Sequence, residues 1–267
     1  MDKYGILYGI GVGPGDPDLL TLAAVKALGR VSVVLAAASD KNDHSLAWNI
    51  AAPHLPQGVA TIKLAFPMTS EPETLDAAWR ANLEITLSVL REGKNAAFIT
   101  LGDPLIYSTF GYLLTLLRQE HPQIRVEVIP GITSFQAAAA RTRTILCENG
   151  QNLLITPGIR DQAELDADLQ LADNAVILKA YRNLAVIKKS LKKDADRNTS
   201  PVRGNKLTKN ADRPQNDSPT TDKTTAGSRE HVFVSRLGLD NELIREGLEN
   251  IPANSSYLSL ILATRKR

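Results

Sequence analysis

The sequence predicts an α/β protein of two domains, and three observations lead to that expectation. Short apolar runs alternate with segments of helical period, as strands and helices do around a parallel sheet. Several of those runs end in turns rich in glycine and proline, at Gly11-Val12-Gly13-Pro14-Gly15, Gly102-Asp103-Pro104 and Pro130-Gly131. A second series of apolar strands then starts at Asn152, after a joint near 147–151. The expected domains are therefore 1–147 and 151–267.

Each element has its own signal. Ile6 to Ile10 reads as a buried strand running into the glycine-rich loop, with Asp16 or Thr21 placed to cap the helix Leu20 to Leu28. Val31 to Leu35 is a second strand, Ser45 to His54 is helical and Ala60 to Phe66 extended. Leu75, Ala78, Trp79, Leu83, Leu87 and Leu90 repeat at helical spacing, which predicts a helix over Pro72 to Arg91 that stops at Gly93. The strand Ala96 to Leu101, helix Ser108 to Gln119, strand Arg125 to Ile129 and helix Phe135 to Arg141 complete the first domain. The second is expected to hold strands at Asn152 to Thr156 and Ala175 to Leu178, and a helix at Leu184 to Lys192. Beyond them come a strand at His231 to Ser235, a short helix at Glu242 to Leu248 and a last strand at Tyr257 to Thr264.

Composition narrows the function. The chain has 267 residues, 43% hydrophobic, enough for two real cores. Lys and Arg total 31 against 29 Asp and Glu, so no global field marks a nucleic acid or membrane partner. The single Cys147 excludes internal disulfides, and the four scattered histidines show no metal-ligand spacing, so no protein-bound metal is expected. The longest apolar run, Val33 to Ala38, is far too short to span a bilayer; a cytoplasmic protein is the expectation. One segment stands apart. Residues 194–229 contain no aromatic side chain and, of large aliphatics, only Val202 and Leu207, a composition expected of a disordered insertion.

The three turns that follow strands are where chemistry is expected, because ligands of open α/β sheets bind at the carboxyl ends of strands. The glycine loop from Gly9 to Asp16 invites comparison with a dinucleotide fingerprint, and fails it in register. Counting from Gly9 and Gly11, the third glycine is due where Pro14 stands; counting from Gly11 and Gly13, it is due at Asp16. An aspartate there would oppose a pyrophosphate. A nucleotide-dependent oxidoreductase is thereby disfavoured. Gly102-Asp103-Pro104 and Pro130-Gly131-Ile132-Thr133-Ser134, each taken singly, would pass as a turn and a helix cap.

In this order and spacing the three turns resemble the signature of the tetrapyrrole (corrin/porphyrin) methyltransferases, over residues 4–192 and 230–264. Within that family, Phe66-Pro67-Met68-Thr69, the Trp79 helix, Gly102 to Phe110 and Val234-Ser235-Arg236-Leu237-Gly238 look like the precorrin-2 or cobalt-factor II carbon-20 methyltransferases of cobalamin biosynthesis. Leu101, standing where the uroporphyrinogen enzymes have a glycine, argues against that sibling. The resemblance implies the tetrapyrrole methylase fold, two α/β domains with an S-adenosylmethionine cleft between them, unlike the Rossmann-type methyltransferases. It implies a homodimer, a tetrapyrrole substrate, and any cobalt arriving inside that substrate.

It also implies site residues. Pro14, Leu101, Gly102, Asp103, Ile106, Thr133 and Ser134 would contact the cofactor from the first domain, and Lys179, Ala180 and Leu260 from the second. Many relatives have methionine where Lys179 stands. The carbon nucleophile of the macrocycle would displace the sulfonium methyl in line, so the protein mainly aligns and dries the reactants. Asp103 and Tyr107 are the catalytic candidates, Tyr107 as a base for the meso proton. Gly13 and a set of arginines (Arg141, Arg143, Arg160, Arg182 and Arg236) are candidates for the substrate's carboxylates, which guanidinium forks match bidentately. A sibling methylation site is the nearest rival; RNA or diphthine methylation is the remote one, and no basic patch favours it.

Overall fold

The computed structural model describes residues 4–38, 46–158, 161–199 and 229–265, which form two compact units. One comprises Met1–Ala138 with Arg236–Glu242, the other Ala139–Ser235 with Leu243–Arg267.

The first unit is built on a five-stranded parallel sheet. Its strands are β1 (Leu7–Gly11), β2 (Val33–Ala38), β3 (Ala60–Ala65), β4 (Ala96–Thr100) and β5 (Val126–Ile129), in the order β3-β2-β4-β1-β5. Alternation along the strands supplies two apolar faces. Leu7, Val33, Leu35 and Phe98 pack with the helices α3 (Pro72–Arg91) and α4 (Phe110–Glu120) through Leu83, Leu87, Leu90, Leu113 and Leu117. Tyr8, Ile10, Val34, Ala97 and Ile99 pack on the other side with α1 (Leu22–Leu28) and α2 (Leu46–Ala51) through Ala24, Ala27, Leu28 and Ile50. A parallel sheet covered on both faces explains why these strands read as unbroken apolar runs. The edge strand β3 is tied down by the buried Asn82, whose amide donates to the Ala65 carbonyl at 2.7 Å and accepts from the Ala65 N–H at 3.1 Å. A helix α5 (Ser134–Thr142) follows β5.

The second unit has a mixed sheet of β6 (Leu153–Pro157), β7 (Asn174–Leu178), β8 (Arg229–Ser235), β9 (Leu243–Glu246) and β10 (Ser259–Arg265), in the order β6-β7-β10-β8-β9. Only β6 and β7 run parallel; β10 and β8 pair antiparallel in the centre and β9 closes the edge. Helices α6 (Gln162–Leu171) and α7 (Leu184–Thr199) cover one face, packing Leu165, Leu169, Leu184, Ile187 and Leu191 on Ala175, Ile177, Phe233, Ile261 and Ala263.

Two expectations need correction here. The helix foreseen over Glu242 to Leu248 is the strand β9 followed by a 3-10 turn at Leu248–Asn250; the apolar pair Leu243 and Ile244 pairs with β8, a partner that local periodicity cannot reveal. The insertion foreseen over 194–229 is structured at both ends. α7 continues to Thr199, and Arg229 opens β8 with its side chain 1% exposed. Asp194 and Arg229 form an ion pair there, while the same guanidinium donates to the carbonyls of Leu169, Ala172 and Asp173. A buried charge that is paired and fully hydrogen-bonded is tolerable in a core, and composition alone does not show where the partner lies. The rest of that segment, and Arg160, lie outside the described residues.

Candidate functional site

The strand order places β1 between β4 and β5, so the turns that leave these three strands emerge side by side. Gly11 stands opposite Thr100 and Ile10 opposite Ile129, which brings all three turns to one level at the carboxyl edge of the first sheet.

They meet through backbone alone. A Cβ on Gly131 would lie 2.0 Å from the Gly102 carbonyl oxygen and 2.8 Å from the Gly11 Cα; one on Gly11 would lie 2.4 Å from that same oxygen. Gly11 and Gly131 therefore admit no side chain where they cross the Gly102 carbonyl. Gly13 and Gly102 are bridged by Gly102 N–H to the Gly13 carbonyl at 2.8 Å, with the reverse bond at 3.4 Å. Both adopt positive φ, 82° and 66°, which glycine accepts at no steric cost.

Asp103 fastens the junction. One carboxylate oxygen accepts from the Leu105 N–H at 2.8 Å, closing its own turn, and the other accepts from the Gly131 N–H at 3.1 Å, reaching the third turn. Ser108 donates to the Thr100 hydroxyl at 3.1 Å and so draws the end of the second turn back to its strand. The apex between these anchors is Leu105-Ile106-Tyr107, which the structure holds exposed at 60%, 38% and 50%. Thr133 caps α5: its hydroxyl donates to Gln136 Oε1 at 2.9 Å and accepts from the Gln136 N–H at 3.3 Å, while the Thr133 N–H donates to the same Oε1 at 3.1 Å. This is a capping box, legible as Thr-x-x-Gln, and it makes Thr133 a fixed element of the turn. The segment 236–242 joins the first unit against the glycine loop. A Cβ on Gly15 would meet the Leu237 carbonyl oxygen at 2.4 Å, and Gly238 lies against Asp16.

Gly13, Pro14, Leu101, Gly102, Asp103, Thr133 and Ser134 are thus gathered at one edge of the first sheet. At Gly102 there is room for a ligand to lie against the main chain, since an added Cβ would find no atom nearer than 3.9 Å, the Thr133 Cα. In the second unit Leu260 pairs with Leu178, next to Lys179 and Ala180. Leu260 and Ala180 are buried, so Ala180 can offer a ligand little but main chain. Lys179 takes a left-handed conformation, φ 54° and ψ 40°, and partial burial together with the Arg182 charge lowers its ammonium below the ordinary lysine range.

Backbone strain coincides with the expected site. Among the described residues, five other than glycine have positive φ: Tyr107, Arg143, Lys179, Arg236 and Asn241, and the first four are site candidates on sequence grounds. Arg143 has a local explanation. The Thr144 N–H reaches the Ala139 carbonyl and the Arg143 N–H the Ala140 carbonyl, a Schellman ending of α5 with arginine where glycine is usual.

The arginines do not gather as one set. Arg143 lines a cavity of about 790 Å³ in the second unit with Thr264, Arg265, His231 and Glu249, at the far end of β10 from Leu260. Five residues of strand separate the two ends, about 16 Å, so Arg143 is not grouped with Arg182, which follows β7 on the Leu260 side. Arg236, in the first unit, donates from Nε to the Asp240 carbonyl at 2.8 Å. The sequence reading missed two aromatic residues beside Arg182. Tyr181 accepts from the Arg182 Nε–H at 2.6 Å and meets Tyr257 edge to face, ring centroids 5.4 Å apart. No glycine or proline punctuation marks either one.

Comparison with known proteins places this geometry. The family model described as Tetrapyrrole (Corrin/Porphyrin) Methylases matches residues 6–212. The chain is 35% identical over 184 residues to a cobalt-precorrin-2 C(20)-methyltransferase of Salmonella typhimurium, covering 69% of this chain and 76% of the relative. It is 34% identical over 198 residues to a precorrin-2 C(20)-methyltransferase of Sinorhizobium sp, covering 70% and 78%. Among solved structures, the uroporphyrin-III C-methyltransferase of Thermus thermophilus complexed with S-adenyl homocysteine superposes with a TM-score of 0.62 at 20% identity, over 97% of this chain and 92% of that one.

Proposed function

The chain belongs to the tetrapyrrole methylase family and has its fold, and from that premise we propose that it transfers a methyl group from S-adenosylmethionine to carbon 20 of precorrin-2 or cobalt-factor II in cobalamin biosynthesis. The observation that supports this most is the glycine crossing of Gly11, Gly102 and Gly131, locked by Asp103 beside an open stretch of main chain at Gly102. A floor of bare backbone with room above it suits a compact, folded nucleoside. When bound, the cofactor supplies an activated sulfonium methyl.

The protein's own part is placement. Asp103 keeps the second and third turns in register, and Thr133 with Gln136 fixes the start of α5. Pro14, Leu101, Ile106 and Ser134 line the same edge of the first unit; Lys179, Ala180 and Leu260 are the second unit's candidates for cofactor contact. Arg182 and Arg236 serve the substrate carboxylates, Gly13 gives the ring close approach to main chain, and Tyr107 takes the meso proton. Holding the partners aligned and excluding water is the larger contribution, because donor and acceptor are already reactive. The same reading includes a cytoplasmic location and a homodimer, and sedimentation of the purified protein tests the dimer.

The decisive experiment incubates the protein with methyl-labelled S-adenosylmethionine and precorrin-2, with and without cobalt, and locates the label by NMR. Label at carbon 20 is the expected result. Label at carbon 11 would favour a sibling reaction, for which a cobalt-precorrin-4 C(11)-methyltransferase of Priestia megaterium, 30% identical over 190 residues, gives a specific precedent.

A further inference from the structure

Beside Lys179, the second unit holds three side chains, Tyr181, Arg182 and Tyr257, that neither the glycine crossing nor the cofactor assignment uses. Immediately after β7 the chain turns through the left-handed Lys179 into a 3-10 turn, Ala180–Arg182, and Tyr257 approaches that turn from the start of β10. Tyr181 and Tyr257 stand edge to face at 5.4 Å with an interplanar angle of 60°, and Tyr257 leaves half its surface exposed. The Arg182 guanidinium lies 5.6 Å from the centre of the Tyr181 ring, its Nε–H donated to the Tyr181 hydroxyl.

That bond fixes the orientation of the guanidinium. With Nε committed to Tyr181, the two Nη nitrogens have no acceptor among the described residues, and they form the fork that suits a carboxylate. The charge of Arg182 acts on Lys179 as a like charge, so two cations share one neighbourhood. Arg182 acts on Tyr257 as well, against the burial that raises that phenol. Cations held close together beside exposed ring surface make a place where an anion relieves repulsion while a flat body covers the rings. Either feature alone would be ordinary; together they match a ligand that is both planar and acidic.

We propose that Tyr181, Arg182 and Tyr257, with Lys179 beside them, form a subsite for one edge of a flat conjugated polycarboxylate, Arg182 pairing with a carboxylate and the tyrosines covering the ring. In the cell that ligand is the tetrapyrrole, which rests on the function proposed above. The subsite itself is tested with uroporphyrin III, a stable octacarboxylate.

Binding is followed by porphyrin fluorescence and calorimetry at two salt concentrations, on the full chain. Arg182→Met and the double variant Tyr181→Leu/Tyr257→Leu each weaken uroporphyrin binding by about tenfold or more, the loss of one charge-assisted contact or of the ring surface. Arg182→Lys recovers only part of the loss, since an ammonium lacks the fork. Affinity for S-adenosylhomocysteine stays within about twofold throughout, a change too small to signal a lost contact. Lys192→Met, which removes an equal charge elsewhere in the same unit, leaves uroporphyrin binding unchanged. Arg182 is exposed, so its variant keeps the fold even where the tyrosine pair proves structural, and thermal unfolding checks this.

Unchanged porphyrin affinity in Arg182→Met overturns the subsite. So does a loss confined to S-adenosylhomocysteine, which assigns the cluster to the cofactor, or an equal loss in Lys192→Met, which reduces it to general charge. The two proposals fail separately. Arg182-dependent porphyrin binding without methylation of precorrin-2 sinks the reaction and keeps the subsite; methylation at carbon 20 with no effect of these variants does the reverse.

Discussion

The carboxyl edge of the first sheet and the turn after β7 in the second unit are built from opposite materials. The first is nearly all main chain: three glycines in contact, two of the glycine-loop and Gly-Asp-Pro residues in left-handed backbone, and one carboxylate as a latch. The second is nearly all side chain: two tyrosine rings, a guanidinium and an ammonium on a short turn. A main-chain site draws its accuracy from crossings that admit no substituent, whereas a side-chain site draws it from rotamers that neighbours must hold.

That contrast ranks what substitution should do. The largest effect is expected away from both, where Arg229 meets Asp194: Arg229→Met takes the guanidinium away from a buried carboxylate and should cost about 3–5 kcal/mol of stability. The double variant Arg229→Met/Asp194→Leu should recover most of it, read by urea unfolding; no recovery would show that the guanidinium's carbonyl bonds matter more than the charge pair. Next comes the crossing. Gly131→Ala places a methyl 2.0 Å from a carbonyl oxygen, and a backbone clash of that kind should cost roughly 1–3 kcal/mol or more in unfolding and abolish cofactor binding in calorimetry. Retained binding would mean that the three turns need not cross so closely.

Asp103 sharpens the comparison, because its side chain ties the second turn to the third in the main-chain site. Asp103→Ala loses both charged acceptors and should raise the KM for S-adenosylmethionine about ten- to a hundredfold; Asp103→Asn keeps one and should fall between. If kcat collapses in both while KM stays fixed, Asp103 is a reacting group and not a fastening.

The smallest effect is a pH dependence in the second unit. Burial first, and then the Arg229 charge, lower the pKa of His231, whose Nε2 is buried without a hydrogen-bond partner among the described residues. The folded chain resists a proton that the unfolded chain accepts, so this stability is present above the ordinary imidazole range and is lost as pH falls. Between about pH 7.5 and about pH 5.5 the unfolding midpoint should fall less in His231→Gln than in the unaltered chain. Parallel curves for the two proteins would assign the acid sensitivity elsewhere.

What sequence reading recovers follows the same division. The helix Pro72–Arg91 emerges at its expected bounds because its apolar period and its glycine stop are local signals. The three turns are legible because glycine and proline are required by the backbone itself, whatever the neighbours. Tyr181 and Tyr257 carry no such mark; 76 positions apart, they acquire meaning only when β7 and β10 pair and bring their ends together. β9 reads locally as a helix for a related reason, since four residues with a single apolar pair become a strand only through β8. Arg229 looked like part of a polar stretch because its carbonyl partners lie 56 to 60 positions away. That the arginines lie near element ends is legible too, but not which end of the sheet each occupies, and β10 separates Arg143 from Arg182.

The touching glycines have an evolutionary corollary. Where Gly11 and Gly131 meet the Gly102 carbonyl there is no room for a substituent, so mutation at those two can break that spot but not retune it. Lineages of this protein that drift toward a different macrocycle, or toward a different carbon of the same one, must then accumulate their changes elsewhere. The exposed apex at Leu105 to Tyr107 and the tyrosine turn are open to such change, while the glycine centre passes through each transition unaltered.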